Sequence, residues 1–223
     1  MNDDAAGYAI VPDCLKQDEC DALLAALAPL PRTRAGVRHL LTASPAAATV
    51  ASDARLLRLA AAWLGVPAPI PFRATLFEKT GEANWLIQWH QDTALPLAAR
   101  FDSPDWGPWS EKAGALYAHA PAWALERVIA LRVHLDGSTA SNGPLRVLPG
   151  THRDGVLTDA QVAACASRVS PVDCLCPRGG VIAMRPLLIH ASSKSTAGDA
   201  RRVVHLEYAG SLDLAAGVRL TVV

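Results

Sequence analysis

From Phe72 onward the chain is cut into short extended runs, each closed by a turn signal, and few folds accommodate that texture. The runs cover residues 72–78, 84–89, 128–135, 145–148, 181–184, 187–190, 202–208 and 218–222. Between them stand Lys79-Thr80-Gly81, Asp136-Gly137, Ser141-Asn142-Gly143 and Pro149-Gly150, whose residue types suit the backbone of tight turns. Strands this short and numerous bury themselves by stacking two sheets. The expected fold is therefore mainly β with flanking helices, a double-stranded β-helix of the jelly-roll, cupin-like kind.

The first seventy residues read differently. Cys20, Leu23, Leu24 and Leu27 recur at helical spacing between Lys16 and Leu27, and Pro29-Leu30-Pro31 ends that run. Asp53 is placed to cap a second helix carrying Leu56, Leu57, Leu59, Ala60 and Leu64, with Gly65-Val66-Pro67 as its exit. Residues 1–70 thus form a helical buttress and 71–223 a jelly-roll core, one domain over 1–223. An insertion over 93–127 carries Trp106, Trp109 and Trp123. A long connection of this kind in a compact domain is often a functional lid.

Bulk properties exclude several functions. A formal net charge of zero offers no electrostatic footprint for nucleic acid or an anionic membrane. No apolar run is long enough to span a bilayer, and the opening MNDDAAGYAIV lacks the basic stretch of a signal peptide, so a cytoplasmic location is expected. Five cysteines, an odd number without CxxC spacing, read as buried free thiols rather than disulfides or a zinc knuckle. Cys174 and Cys176 can point to the same side of a strand. The expected partner is a small molecule, and no sequence feature specifies an oligomeric state.

The chemistry is carried by His90-Gln91-Asp92 at the end of one extended run, with His190 a hundred residues later. Positions i and i+2 of a strand share a face, so one imidazole nitrogen and one carboxylate oxygen can reach the same point. A second imidazole from a neighbouring strand completes a two-His, one-carboxylate face that leaves open positions on a ferrous ion. Alone, the tripeptide is better explained as a surface pair at a strand end. The ordered His190, Ser192 and Arg201 turn the balance toward metal. Asn84, Leu86 and Gln88 continue the His90 face if the strand alternates without a bulge. Arg201 would give the far carboxylate of a dicarboxylic co-substrate two parallel donors. Its alternative is a solvated charge, because Arg202 adjoins it and a one-residue slip exchanges their faces.

At these residues the chain resembles the phytanoyl-CoA dioxygenase family of iron(II)- and 2-oxoglutarate-dependent oxygenases. The resemblance rests on Trp89-His90-Gln91-Asp92, on the run from Asn142-Gly143-Pro144 to His152, and on His190-Ala191-Ser192 followed by Arg201. It is closest to short bacterial members, through Asn84-Trp85 and Gly107-Pro108-Trp109. It implies that His90, Asp92 and His190 ligate Fe(2+) and that Arg201, with Ser192 beside it, holds the C5 carboxylate of 2-oxoglutarate. Asn84 and Arg132 are further co-substrate contacts by the same reasoning. Arg132 stands where relatives carry an aromatic. The implied reaction consumes O2 and 2-oxoglutarate, releases succinate and carbon dioxide, and hydroxylates a small molecule. Related halogenases replace the carboxylate ligand with a small residue, so Asp92 implies a halide-free oxidation. Arg100, Lys112 and Arg127 are too scattered in sequence to hold the phosphates of coenzyme A. Two rival readings are a metal-dependent isomerase or hydrolase on a cupin-like barrel and a non-catalytic metal-containing ligand-binding protein.

Other residues carry paired readings. His205 and Glu207 share the Arg201 face, either lining the pocket or forming a satisfied interior pair. His134, two residues from Arg132, has the same ambiguity. Lys79 reads as a solvated turn lysine, with carboxylate binding as the alternative. Trp85 and Trp89 alternate away from His90, toward core packing. Gln88, Trp106, Trp109 and His205 are the candidate substrate contacts, with stapling of the insertion as the other role for the two tryptophans. His152 reads as structural, closing the Pro149-Gly150 turn.

Overall fold

The structure, a computed structural model, describes residues 4–32, 36–80 and 84–223. In chain order it runs β1 (Tyr8–Val11), α1 (Gln17–Leu27), α2 (Leu40–Ala43), α3 (Pro45–Ala51), α4 (Ala54–Leu64), β2 (Ile70–Lys79) and β3 (Ile87–His90). The insertion follows as β4 (Ala94–Leu97), β5 (Trp109–Lys112), β6 (Ala115–His119) and α5 (Ala122–Leu125). Then come β7 (Val128–His134), β8 (Leu145–Val147), α6 (Asp159–Arg168), β9 (Val172–Cys174), β10 (Val181–Met184), β11 (His190–Ser192) and β12 (Arg201–Ala209). A short hairpin of Asp213–Ala215 with Val218–Arg219 closes the chain.

Two antiparallel sheets form the body: β1-β10-β7-β12-β2 and the smaller β3-β11-β8-β9. Every residue of β7 is buried, because the strand is central and covered on both faces. Ile129, Leu131 and Val133 share a core with Leu56, Ala60 and Trp63 of α4. Ala130 joins Leu145, Val147, Ile182 and Met184 between the sheets. The α4 helix forms where the sequence placed it: Asp53 accepts a hydrogen bond from the Arg55 amide, and Gly65 exits in the left-handed region at φ 67°. The Tyr208 hydroxyl donates to the Ala51 carbonyl at 2.9 Å, tying the large sheet to its helical cover.

The structure corrects several expectations. The first seventy residues are not helical throughout, because Tyr8–Val11 forms an edge strand of the large sheet. Four residues are too few for their periodicity to be read. The run at 187–190 becomes a strand only at His190, since Leu188 is still held in a turn to the Arg185 carbonyl. The 93–127 insertion is not a loose lid but a three-stranded sheet, β4-β6-β5. Trp106 is buried beneath it with Leu95, Leu97 and Leu220. Phe101 meets Trp106 and Trp109 edge-on at 5.4 and 5.3 Å, and Trp106 meets Trp123 at 6.0 Å. These contacts staple the insertion, and neither Trp106 nor Trp109 lines the cavity beside His90 and His190.

All five cysteines are free thiols. Burial pushes the Cys174 and Cys176 thiols up to about 12. Among the described residues no helix is long and apolar enough to cross a membrane.

Candidate metal centre

His90 ends β3, Asp92 follows in the turn, and His190 begins β11 directly opposite His90. Their ligating atoms all lie within 4.8 Å of one another. His90 Nε2 is 3.9 Å from Asp92 Oδ1, and His190 Nε2 is 3.5 Å from Asp92 Oδ2. Two atoms each bonded at about 2.1 Å to one ion lie at most about 4.2 Å apart, and both His–carboxylate distances fall within that limit. Each ring has its other nitrogen on a carbonyl: His90 Nδ1 is 2.8 Å from Gln88 O and His190 Nδ1 is 2.9 Å from Leu188 O. A carbonyl only accepts, so Nδ1 carries the proton and the Nε2 lone pair is free for a metal. Burial pushes the His190 imidazolium down to about 3, which keeps that ring neutral. For Asp92, burial opposes the charge, but the surrounding imidazoles when protonated, together with the Arg73 guanidinium, outweigh it and hold the carboxyl well below the usual range. Two imidazoles with Nε2 turned to one point and a carboxylate on the same face suit a divalent first-row ion with positions left open.

Gln91 sits between the two ligands and works in the opposite direction. Its amide nitrogen donates to the carbonyls of Leu187 and Gly155 at 2.8 Å each, and its Oε1 accepts from the Leu157 amide at 2.9 Å. The turn carrying Asp92 is thereby pinned to the segment leading into His190. The motif did not reveal this role, because all three partners are backbone atoms distant in sequence.

A bulge reshapes the wall beside the ligands. His190 pairs with His90 and Ser192 with Ile87, so two residues of β11 face three of β3. The extra residue reverses the alternation upstream of His90. Trp85 and Ile87, expected away from His90, line its cavity, whereas Trp89 packs with the core under α6. Gln88 is exposed and lines an outer groove with Val162 of α6, a groove that His90 and Ser192 also border. Asn84 is also elsewhere. Its amide nitrogen donates to Ser195 O and its oxygen accepts from Ser195 N, both at 2.7 Å, fixing the loop before Arg201.

Opposite the ligands, three cations converge. Lys79, Arg132 and Arg201 are 2%, 8% and 4% exposed, and all line the cavity. Arg201 pairs with Lys79 across β12 and β2. Among the described residues, no carboxylate lies within ion-pair distance of any of the three. Burial, then repulsion from Arg201 and Arg132, lowers the Lys79 ammonium to about 8. Burial and Arg132 lower Arg201 to about 10. Lys79 donates to Ser192 Oγ at 2.9 Å and to the Ser193 carbonyl, so it is not the solvated turn lysine expected. Arg201 Nε donates to the Asn142 carbonyl at 3.2 Å. Beside it, Gly143 stands at φ +68°, where a β-carbon would strike the Ser193 carbonyl oxygen and come within 3.2 Å of Lys79 Nζ. Buried like charges without counter-ions are costly unless a ligand neutralises them. The arrangement fits a dicarboxylate reaching from metal to arginine.

His205 combines its two expected roles. It lines the cavity, and both nitrogens are engaged: Nδ1 with Arg132 Nη1 and Nε2 with Glu207 Oε1, each at 3.1 Å. As the guanidinium donates to Nδ1, Nε2 carries the proton toward Glu207. His134 has neither ring nitrogen bonded, and burial drives it down to about 3, so it is a neutral interior group. His152 packs its ring where a β-carbon on Gly7 would stand.

Residues 4–203 match the family model described as phytanoyl-CoA dioxygenase (PhyH). No curated protein matches the chain. EctD from S. alaskensis, in its apoform, is 24% identical with a TM-score of 0.70, over 97% of this chain and 76% of EctD. HygX from Streptomyces hygroscopicus, solved with nickel and 2-oxoglutarate, is 17% identical with a TM-score of 0.67, over 92% and 84%. SnoN, a non-heme alpha ketoglutarate dependent epimerase from nogalamycin biosynthesis, is 17% identical with a TM-score of 0.66, over 92% and 78%. At these identities the structural likeness carries the fold, a double-stranded β-helix. The family model spans nearly the whole chain, both ligand-bearing strands included, so the chain belongs to the phytanoyl-CoA dioxygenase family of iron- and 2-oxoglutarate-dependent oxygenases.

Proposed function

We propose that the chain is a non-haem Fe(II)- and 2-oxoglutarate-dependent dioxygenase that hydroxylates a small molecule. The observation that carries this reading is the pairing, in one cavity, of an imidazole and carboxylate face with three buried cations that lack counter-ions. His90, Asp92 and His190 hold the iron. Arg201 grips the far carboxylate of 2-oxoglutarate, Lys79 and Arg132 add positive potential, and Ser192 sets the Lys79 ammonium. Iron with 2-oxoglutarate bound supplies the oxidant: O2 is reduced as the co-substrate is split to succinate and carbon dioxide, one oxygen atom going to the substrate. The protein's part is to fix these groups and keep water out. Phe77, Ile87 and Leu145 supply the apolar wall. Asp92 occupies the ligand position that halide chemistry needs vacant.

The whole of 1–223 acts as one unit in this reading, supported by the span of the family model. The five free thiols support a reducing compartment, the cytoplasm. A Lewis-acid isomerase or hydrolase would need the metal face and have no use for the buried cations.

Titration of the Fe(II)-loaded protein with 2-oxoglutarate tests the proposal. Calorimetry should show one site and the visible charge-transfer band should develop, both lost in Arg201→Met. Absence of 2-oxoglutarate binding to the iron-loaded protein overturns it, and turnover without oxygen or 2-oxoglutarate would favour the Lewis-acid reading.

A further inference from the structure

A second basic pole is formed by Arg73 on the cavity lining and Lys112 outside it, which meet at Tyr117 away from Arg201. Along β12 the Arg201–Lys79 rung and the Glu207–Arg73 rung are six residues apart, about 20 Å at roughly 3.3 Å per residue. The His205–Thr75 rung falls between them. Arg73 lines the cavity with Asp92 and pairs with Glu207 at 3.4 Å. Its guanidinium carbon lies 5.8 Å from the centre of the Tyr117 ring, and Lys112 Nζ lies 5.2 Å from the same ring. His39, held at φ 58°, engages the Tyr117 hydroxyl through Nε2 at 3.1 Å. Burial, then repulsion from Arg38 and Arg73, lowers the Lys112 ammonium, while Asp92 attracts it. Arg73 and Lys112 therefore meet at one aromatic ring, where the charges of Arg38 and Asp92 are also felt. Glu207 is the carboxylate paired with Arg73, and none lies within ion-pair distance of Lys112 or Arg38 among the described residues.

We propose that the substrate is a small carboxylate-bearing molecule whose carboxylate docks between Lys112 and Arg73 over Tyr117, on the far side of the metal face from Arg201. This rests on the dioxygenase reading, because it is the co-substrate that claims the first pole. With 2-oxoglutarate drawn to Lys79 and Arg201, the remaining surplus of charge is at Lys112 and Arg38. Arg73 is already half neutralised by Glu207, which suits a single carboxylate better than a phosphate dianion. Scattered in sequence, Lys112 is brought to Arg73 by the insertion sheet, whose strand β5 ends on it. Arg100 and Arg127 stay apart, each over its own tryptophan, Trp109 and Trp123.

The test uses full-length protein loaded with Ni(II) and saturated with 2-oxoglutarate, at constant ionic strength. Melting temperature is followed against propionate, propionamide and inorganic phosphate. Propionate should stabilise saturably while propionamide does not. Lys112→Met, which keeps the stem packed on Tyr117, should weaken propionate about tenfold, and Lys112→Arg should restore it. Succinate release with iron should then rank amino and hydroxy acids above their amides. Equal behaviour of propionate and propionamide, tighter binding of phosphate, or no change in Lys112→Met overturns the inference. Failure of 2-oxoglutarate to bind before any propionate is added overturns the dioxygenase reading instead.

Discussion

His90 and His190 face each other across β3 and β11 in the same posture, each ring giving Nδ1 to the carbonyl two residues before it and Nε2 toward Asp92. The tautomer a metal needs is thus set by local backbone, before any ion arrives. Replacing His190 with Ala should weaken iron by more than the roughly 10–100-fold that loss of a mere orienting partner costs. Metal content after dialysis, with circular dichroism to confirm folding, measures it.

Lys79 should trade stability for binding. In metal-free protein its ammonium is buried at an ordinary cost that burial and two arginines raise, with a folded value of about 8 against an ordinary 10.5. The unfolded chain then holds more protons between these values, so this group makes the folded state more stable as pH rises from about 8 to 10.5. Lys79→Met should melt higher than wild type below pH 8 and lack that rise. It should also bind 2-oxoglutarate more weakly, and the fall in wild-type affinity above pH 8, as the ammonium is lost, should disappear. Calorimetry at pH 7 and pH 9 checks both signs.

Gln91→Ala should reveal the brace behind the ligands. It removes three hydrogen bonds from a buried position, two of them made by its amide nitrogen and one by its oxygen. At about 1 kcal/mol each, the loss is roughly 3 kcal/mol in urea unfolding. Weaker metal binding should accompany it, because Asp92 and the approach to His190 are no longer tied together.

Breaking the interior relay should cost more. Glu207→Ala strands Arg73 and His205, which both hydrogen-bond or pair with its Oε1. Loss of one partner of a buried ion pair costs about 3–5 kcal/mol. Denaturant midpoints should fall accordingly, and Glu207→Gln should recover part of the loss through its carbonyl oxygen.

Trp106→Ala separates stapling from substrate contact. Truncating this buried ring should cost about 3–5 kcal/mol while leaving 2-oxoglutarate affinity unchanged in protein that remains folded. A large change in that affinity at constant stability would return Trp106 to the site.

The ligand residues were legible in the sequence because a metal face needs few residue types in a fixed order, and three of them fell in the motifs. The two long helices were legible for the same kind of reason, since Asp53 and Gly65 mark both ends of α4. Lys79 was not, because its importance lies in pairing with Arg201, a relation that only strand register creates. Arg73 stayed hidden likewise, as its neighbours Glu207 and Tyr117 come from distant strands. The misplacement of Trp85 and Gln88 had one cause: alternation was extended through a strand that carries an extra residue. Trp106 and Trp109 carried two readings because aromatic density in an insertion marks an internal core as readily as a binding wall.

That extra residue in β3 is slack between the ligand His90 and the wall residue Ile87. Removing any one residue between Ile87 and His90 would let the strand alternate cleanly against β11 and keep the hydrogen-bonded sheet. The same operation would place Ile87 two positions before His90, still opposite Ser192, so Trp85 and Ile87 would keep facing the cavity. A single-codon deletion there should thus leave both the metal ligands and the Trp85–Ile87 wall in place, the bulge being slack that the scaffold can lose without changing what it presents to a bound molecule.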